Sequence, residues 1–379
     1  MTSRPRGTQR IAFRTDASIQ IGTGHVMRCL TLADALVASG AECVFISREH
    51  EGNLNEIIRG RGHQVLSLPK AEPNYESFLT DGPAHQHWVG VSSELDAEQT
   101  VQAIGESVVD WLVVDHYALD ARWEAALRGA CRQLMVVDDL ADRSHICDML
   151  LDQSLGRRQD DYLDLTPPGC MLLVGPTYAL LRPEFSALRE ESLARRGDGK
   201  LEHLLITMGG VDKDNVTAQV LEALGECYNW LPENLRITVI MGPHAPWCEM
   251  VRQLAMTMPR PTQVVVGVSD MARRMADADL AIGAAGSTSW ERCCLGLPTV
   301  TLVQADNQKS AANSLKEQGA IWLVEGDDII SNLRDTLGSI SQNLARMREV
   351  ARMSSQIIDG LGCSRTIDKM FLVGDDHVC

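Results

Sequence analysis

No two of the eleven cysteines stand in a Cys-x-x-Cys spacing, and their number is odd. That excludes a zinc ribbon and the disulfide framework of a small secreted domain, and the scattered thiols, with Cys293-Cys294 in an apolar helical stretch, read as reduced core residues. The closest histidine pair, His85-x-His87, lies in a polar loop without neighbouring cysteines, so no metal is expected. No run approaches the roughly eighteen apolar residues of a membrane span, and the basic start Met1–Gly7 is not followed by the apolar core of a signal peptide. A short disordered tail on a cytoplasmic protein is the expectation. Positive charge is also short: 35 Lys and Arg against 51 Asp and Glu give a net charge of −16, which argues against nucleic acid as a partner.

Two nucleotide signatures are missing as well. Gly22-Thr23-Gly24-His25-Val26-Met27 has Met27 where a dinucleotide fingerprint needs its third glycine, and no Gly-x-x-x-x-Gly-Lys-Ser/Thr occurs. A nicotinamide oxidoreductase and a P-loop NTPase are therefore excluded, and no cofactor is expected.

What is present is a repeated alternation of strands and helices over 379 residues, enough for two domains. Arg10–Arg14, Glu42–Ile46, Gln64–Leu68, Trp111–Tyr117, Leu134–Asp139, Met149–Asp152 and Met171–Gly175 read as strands, with helices over Val26–Leu36, Asn53–Arg61 and Glu94–Glu106. Pro69–Gly90 is a long loop. A charged helix over Arg182–Arg196 precedes Gly197-Asp198-Gly199-Lys200, a short polar stretch that marks the domain boundary. A second alternation follows, with strands at His203–Met208, Arg236–Met241, Gln263–Val266, Ala278–Gly283 and Pro298–Val303, and closing helices over Asn307–Glu317 and Ile329–Met353. The expected fold is α/β, with Rossmann-like domains at 1–196 and 197–379 facing across a cleft, where the ligand is expected.

Chemistry concentrates in Arg14–Leu30. Taken alone, Gly-Thr-Gly-His is most simply a tight strand-to-helix turn with an exposed histidine. The polar company of Arg14, Asp16, Ser18 and Arg28 at a strand's carboxyl end makes it a ligand site instead, with Gly22 and Gly24 letting a ligand approach the backbone. Asp139 and Asp142 read as helix N-caps, the commoner use of Asp after a strand. Asp115-His116-Tyr117 presents three consecutive hydrogen-bonding side chains, too many for capping alone. In the second half, Gly209-Gly210-Val211-Asp212-Lys213-Asp214-Asn215 and Gly286-Ser287-Thr288 are strand-to-helix turns able to offer backbone N–H groups to a pyrophosphate. Glu291, a turn beyond Thr288, is either a solvated helix charge or placed to accept from ribose hydroxyls, and Asp306-Asn307-Gln308 either caps a helix or reaches the cleft.

The motif Arg14-x-Asp16-x-Ser18-x-x-Ile21-Gly22-x-Gly24-His25-x-x-Arg28-Cys29-Leu30 resembles the amino-terminal signature of the UDP-2,4-diacetamido-2,4,6-trideoxy-β-L-altropyranose hydrolases of pseudaminic acid synthesis. The likeness continues through Val114–Asp120, Val137–Ala141, Gly175–Phe185, Met208-Gly209-Gly210-x-Asp212 and Gly283-x-x-Gly286-Ser287-Thr288-x-Trp290-Glu291. The N-acetylglucosamine transferase of peptidoglycan precursor synthesis is a related branch. The resemblance implies a GT-B fold, with UDP held by the second domain and the sugar facing the first. It implies water attack at the anomeric carbon with inversion, His25 as general base and Tyr117 beside it in the catalytic set. Arg14, Asp16, Gly24, Asp115, His116, Gly209, Gly210, Asp212, Asn215, Gly286, Ser287, Thr288, Glu291, Asn307 and Gln308 are the expected substrate contacts. The expected partner is a small UDP-sugar; a glycosyltransferase with the same donor and a silent sugar-nucleotide-binding protein are the competing readings.

Overall fold

The computed structural model describes residues 8–70, 82–243, 245–326 and 328–375, apart from the side chains of Asp198, Asn307 and Asp375. The expected tail Met1–Gly7 and the middle of the Pro69–Gly90 loop lie outside these residues. The chain divides into two compact units, Met1–Leu180 with Gly362–Cys379, and Leu181–Leu361.

In the first unit, strands β1 (Arg10–Thr15), β2 (Glu42–Arg48), β3 (Gln64–Leu68), β4 (Val109–Asp115), β5 (Cys131–Val137), β6 (Met149–Asp152) and β7 (Met171–Val174) form one sheet in the order β3-β2-β1-β4-β5-β6-β7. Every pairing is parallel. Helices α1 (Gly24–Ala38), α2 (Asn55–Gly60), α3 (Ser93–Ile104) and α4 (Ala121–Leu127) cover its faces. Side chains alternate along a strand. Ile11, Phe13, Trp111 and Val113 therefore join Val26 and Leu30 of α1 in one core, while Ala12, Leu112 and Val114 join Trp123 and Leu127 of α4 in another. Burial on both faces explains why these strands read as continuous apolar runs. The chain runs outward from β1 to β3, then returns to place β4 on β1's other side, so the carboxyl ends of β1 and β4 form a topological switch point, where open sheets hold ligands.

The second unit opens with α5 (Pro183–Arg195) and builds a parallel sheet in the order β10-β9-β8-β11-β12-β13. Its elements are β8 (His203–Thr207), α6 (Val216–Glu226), β9 (Arg236–Met241), α7 (Cys248–Met256), β10 (Thr262–Val266), α8 (Met271–Asp277), β11 (Leu280–Ala284), α9 (Thr288–Cys294), β12 (Thr299–Leu302), α10 (Lys309–Glu317), β13 (Trp322–Val324), α11 (Ile329–Gln342) and α12 (Ala345–Ser355). Its switch point lies between β8 and β11, which lead into Gly209-Gly210 and Gly286. Helix α13 (Gly362–Asp375) returns to the first unit, burying Ile367 and Met370 against the α1 side.

Two features depart from the expected organisation. The stretch Gly197–Lys200 lies inside the second unit, because α5 is bound to it: Arg189 donates to Cys294 O and Ser355 O, Ser192 Oγ to Leu295 O, and Arg196 to Met275 O and Ala278 O. The last strand is β13 rather than Pro298–Val303, and the last helix α13 rather than the stretch ending at Met353. Among the described residues no helix is long and apolar enough to cross a membrane.

Candidate functional site

The strand-end residues of the first unit come together around Asp115. Its Oδ1 accepts from His25 Nδ1 at 2.6 Å and from Arg28 Nη2 at 2.7 Å, and its Oδ2 accepts from Arg28 Nε at 2.6 Å. Burial alone would push this carboxyl up, but the Arg28 guanidinium and then His25 hold it far below the usual carboxylate range. An ionised Asp115 can only accept, so His25 carries its proton on Nδ1 and leaves the Nε2 lone pair free. Nε2 has no hydrogen-bond partner among the described residues. Arg28 also donates from Nη1 to Asp139 Oδ2 at 2.5 Å, and Tyr117 OH donates to the same oxygen at 2.8 Å. Burial, then the nearby Asp139 charge, keeps the phenol protonated.

Asp139 is thus no helix cap. No helix follows it directly, and its carboxylate ties Arg28 to Tyr117; Asp142 pairs with Arg143 at 3.0 Å instead of capping. The Tyr117 ring meets the His25 ring edge-on at 4.5 Å between centroids. Trp88 stacks on Tyr117 at 5.7 Å, and His85 lies 4.4 Å from Trp88. Both come from the loop after residue 81, whose aromatic residues carry no periodic signal in sequence.

Arg14, Asp16 and His116 reach the same sheet edge but are enclosed beneath it. Arg14 and Asp16 are fully buried and paired at 2.7 Å. Arg14 donates twice to Asp96 of α3, which also accepts from Arg48 at 2.6 Å and from Trp123 Nε1 at 2.9 Å. Asp16 accepts from the Arg48 backbone N–H at 2.7 Å. His116 Nδ1 accepts from Ala118 N–H, which leaves its proton on Nε2, 3.2 Å from Asp16; burial pulls the ring's pKa down against that carboxylate. These three expected substrate contacts therefore brace the β1 and β4 ends from inside. Asp96, the partner of Arg14, gives no signal in sequence because an acidic residue near a helix start looks like ordinary dipole compensation.

In the second unit, Gly209 turns with φ +89°, and a Cβ at Gly242 would sit 1.8 Å from Gly210 O, so the β8 and β9 ends approach backbone to backbone. Asp212 is buried and accepts from Val216 N–H at 2.9 Å and Thr217 N–H at 3.0 Å. It caps α6, so both oxygens face the helix. Asn215 stands at φ +53° and donates to Met250 Sδ at 3.3 Å. At the other turn, Gly286 and Thr288 are half-buried and Ser287 is exposed. Gln308 Nε2 lies 4.0 Å from where a Gly286 Cβ would stand, so Gln308 borders this turn, while Gln308 Oε1 accepts from Gln304 N–H. The Asn307 side chain lies outside the described residues. Glu291 faces Arg182 at 3.5 Å, and burial raises its pKa. Gly24, at the start of α1, has no heavy atom within 4 Å of its missing Cβ, so the approach to the backbone there is open. Among the described residues no group of three or more His, Cys, Asp or Glu is arranged to hold a metal.

Residues 203–360 match the glycosyltransferase family 28 C-terminal domain. The chain is 24% identical over 310 residues to the UDP-2,4-diacetamido-2,4,6-trideoxy-β-L-altropyranose hydrolase of Campylobacter jejuni, covering 82% of this chain and 97% of that protein. It is 31% identical over 197 residues to the spore coat polysaccharide biosynthesis protein SpsG of Bacillus subtilis, covering 50% and 55%. An uncharacterised protein of Methanocaldococcus jannaschii is 26% identical over 305 residues, covering 79% of this chain and 57% of its own length. The chain thus spans little more than half of two of these relatives and nearly all of the third. Among solved structures, MurG of Acinetobacter baumannii superposes with a TM-score of 0.67 at 16% identity, over 96% of this chain and 99% of that one. That likeness establishes the fold, two Rossmann-like parallel-sheet domains of the GT-B type.

Proposed function

We propose that this chain is a UDP-sugar hydrolase that cleaves UDP-2,4-diacetamido-2,4,6-trideoxy-β-L-altropyranose to UDP and the free sugar, by water attack at the anomeric carbon with inversion, in pseudaminic acid synthesis. The observation that carries the reading is the His25–Asp115 pair at the β1/β4 switch point, with Nδ1 tied to a carboxylate and Nε2 free. An imidazole so oriented accepts a proton from water near neutral pH. Asp115 fixes the tautomer and stabilises the imidazolium that forms. UDP leaves as a stabilised anion, so one base suffices where an inverting glycosidase needs an acid as well. Tyr117, held by Asp139, lines the base and positions sugar or water. The turns at Gly209-Gly210 and Gly286-Ser287-Thr288, with Glu291, would hold the UDP. The near full-length likeness to the Campylobacter jejuni hydrolase supports the substrate.

The match of residues 203–360 to a glycosyltransferase domain favours a second reading, transfer of an N-acetylhexosamine from the same donor site. Incubation with the UDP-sugar alone separates the two. Hydrolysis releases UDP and free sugar without an acceptor, a transferase needs the acceptor, and a binding protein releases neither.

A further inference from the structure

Arg28 occupies the only position from which one side chain can reach both carboxylates of the His25 cluster among the contacts described. Its fork takes Asp115 through Nε and Nη2 and Asp139 through Nη1, and Nη2 lies 3.4 Å from His25 Nδ1. Two consequences follow from this geometry. The guanidinium occupies both oxygens of Asp115, which dilutes the pull of that carboxylate on an imidazolium, and its own positive charge opposes a second cation beside it. An Asp115–His25 pair without Arg28 would be a carboxylate facing an imidazole with nothing else to neutralise it, and the ring would hold its proton at higher pH. Protonated, it cannot act as a base.

We propose that Arg28 is a positioning residue that keeps His25 available as a base, by sharing its carboxylate partner Asp115 and anchoring that carboxylate to Asp139. The proposal rests on the hydrolase reading for its kinetic consequence, but not for its electrostatic one. Around the ring stand Asp115 and Tyr117 from the β4 end, Arg28 from α1, Asp139 and Arg143 after β5, His116 beneath, and His85 and Trp88 from the loop after residue 81. Of these charges, Arg28 is the one in direct contact with both the ring and its carboxylate.

Arg28→Gln removes the cation and Arg28→Lys keeps it while losing the fork. The His25 ring proton is followed by NMR titration without substrate, with His25→Asn assigning the signal, and the pH dependence of kcat/KM is measured on the UDP-sugar. In Arg28→Gln the titration and the acid limb both move to higher pH by about one unit, a tenfold change in proton affinity. In Arg28→Lys both stay near the wild type while kcat falls, because one ammonium cannot hold the two carboxylates as the planar fork does. An unmoved His25 titration in folded Arg28→Gln overturns the proposal, as does an equal upward shift in Arg28→Lys, which would leave charge irrelevant. If Arg28→Gln does not fold, Arg28→Met removes the cation with a side chain of similar reach, and the same two outcomes apply to its His25 titration. Wild type that releases no UDP while the ring titration moves as stated defeats the hydrolase reading and leaves this inference standing.

Discussion

Asp96 offers the sharpest test of how the first unit holds its site. Its Oδ1 accepts from Arg14 Nε at 3.1 Å and Trp123 Nε1 at 2.9 Å, and its Oδ2 accepts from Arg14 and Arg48 at 2.6 Å each. All four side chains are buried. Asp96→Asn keeps the shape but turns an acceptor into an NH2 group facing guanidinium donors, leaving two buried cations with Asp16 alone. Breaking a buried ion pair from one side costs about 3–5 kcal/mol. With a urea dependence of about 2 kcal/mol/M, the transition of the first unit falls by about 2 M. Hydrogen exchange of the β1 and α3 peptides through a urea series isolates that unit. The pH dependence has a definite sign. Burial works to raise the Asp96 pKa, but Arg14 and Arg48 outweigh it and the folded value lies below the ordinary one. The stabilisation is therefore complete above about pH 4, where the unfolded side chain is ionised, and is lost as pH falls toward the folded value. Wild type and variant should differ by a constant amount from pH 7 to about 5 and converge below. A loss under about 1 kcal/mol, or lost UDP-sugar affinity with stability intact, would refute the bracing role and return Arg14 and Asp16 to the substrate.

Glu291→Ala and Ser287→Ala should each weaken UDP binding several-fold in calorimetric titration without unfolding the second unit, since neither side chain belongs to its apolar core; unchanged affinity in both would move the nucleotide elsewhere. Turnover should survive EDTA, because helix N-termini and turn amides can meet pyrophosphate charge. Loss of activity restored by a divalent ion would reveal a metal the donor arrangement does not suggest.

The strands were legible because parallel sheets bury both faces and write themselves as short apolar runs, and the strand-end motifs stood at those runs' carboxyl ends. Asp115, His25 and Tyr117 are singled out that way, and the structure places their side chains side by side. Arg14, Asp16 and His116 share the same motifs, yet their side chains are directed inward: Arg14 pairs with Asp96, some eighty residues away in α3, and Asp16 pairs with both Arg14 and His116. Asp139 departs from the cap expected of it because a carboxylate after a strand caps a helix only when a helix follows, and none follows directly here. The boundary at Leu181 has no comparable signal: α5 reads as a charged helix, and only the carbonyls that Arg189 and Arg196 reach show that it packs on the second unit. Elements as short as β13 carry too few residues for a period to emerge.

The central claim is that His25 activates water against the anomeric carbon. Single-turnover hydrolysis of the UDP-sugar in oxygen-18 water, run on the wild type and on His25→Asn, tests it most directly. Water activated by His25 puts the label in the sugar and none in UDP, and turnover in the variant is lower by roughly 10²-fold or more at unchanged substrate affinity. Label in UDP, or a His25→Asn enzyme at the wild-type rate, would contradict it.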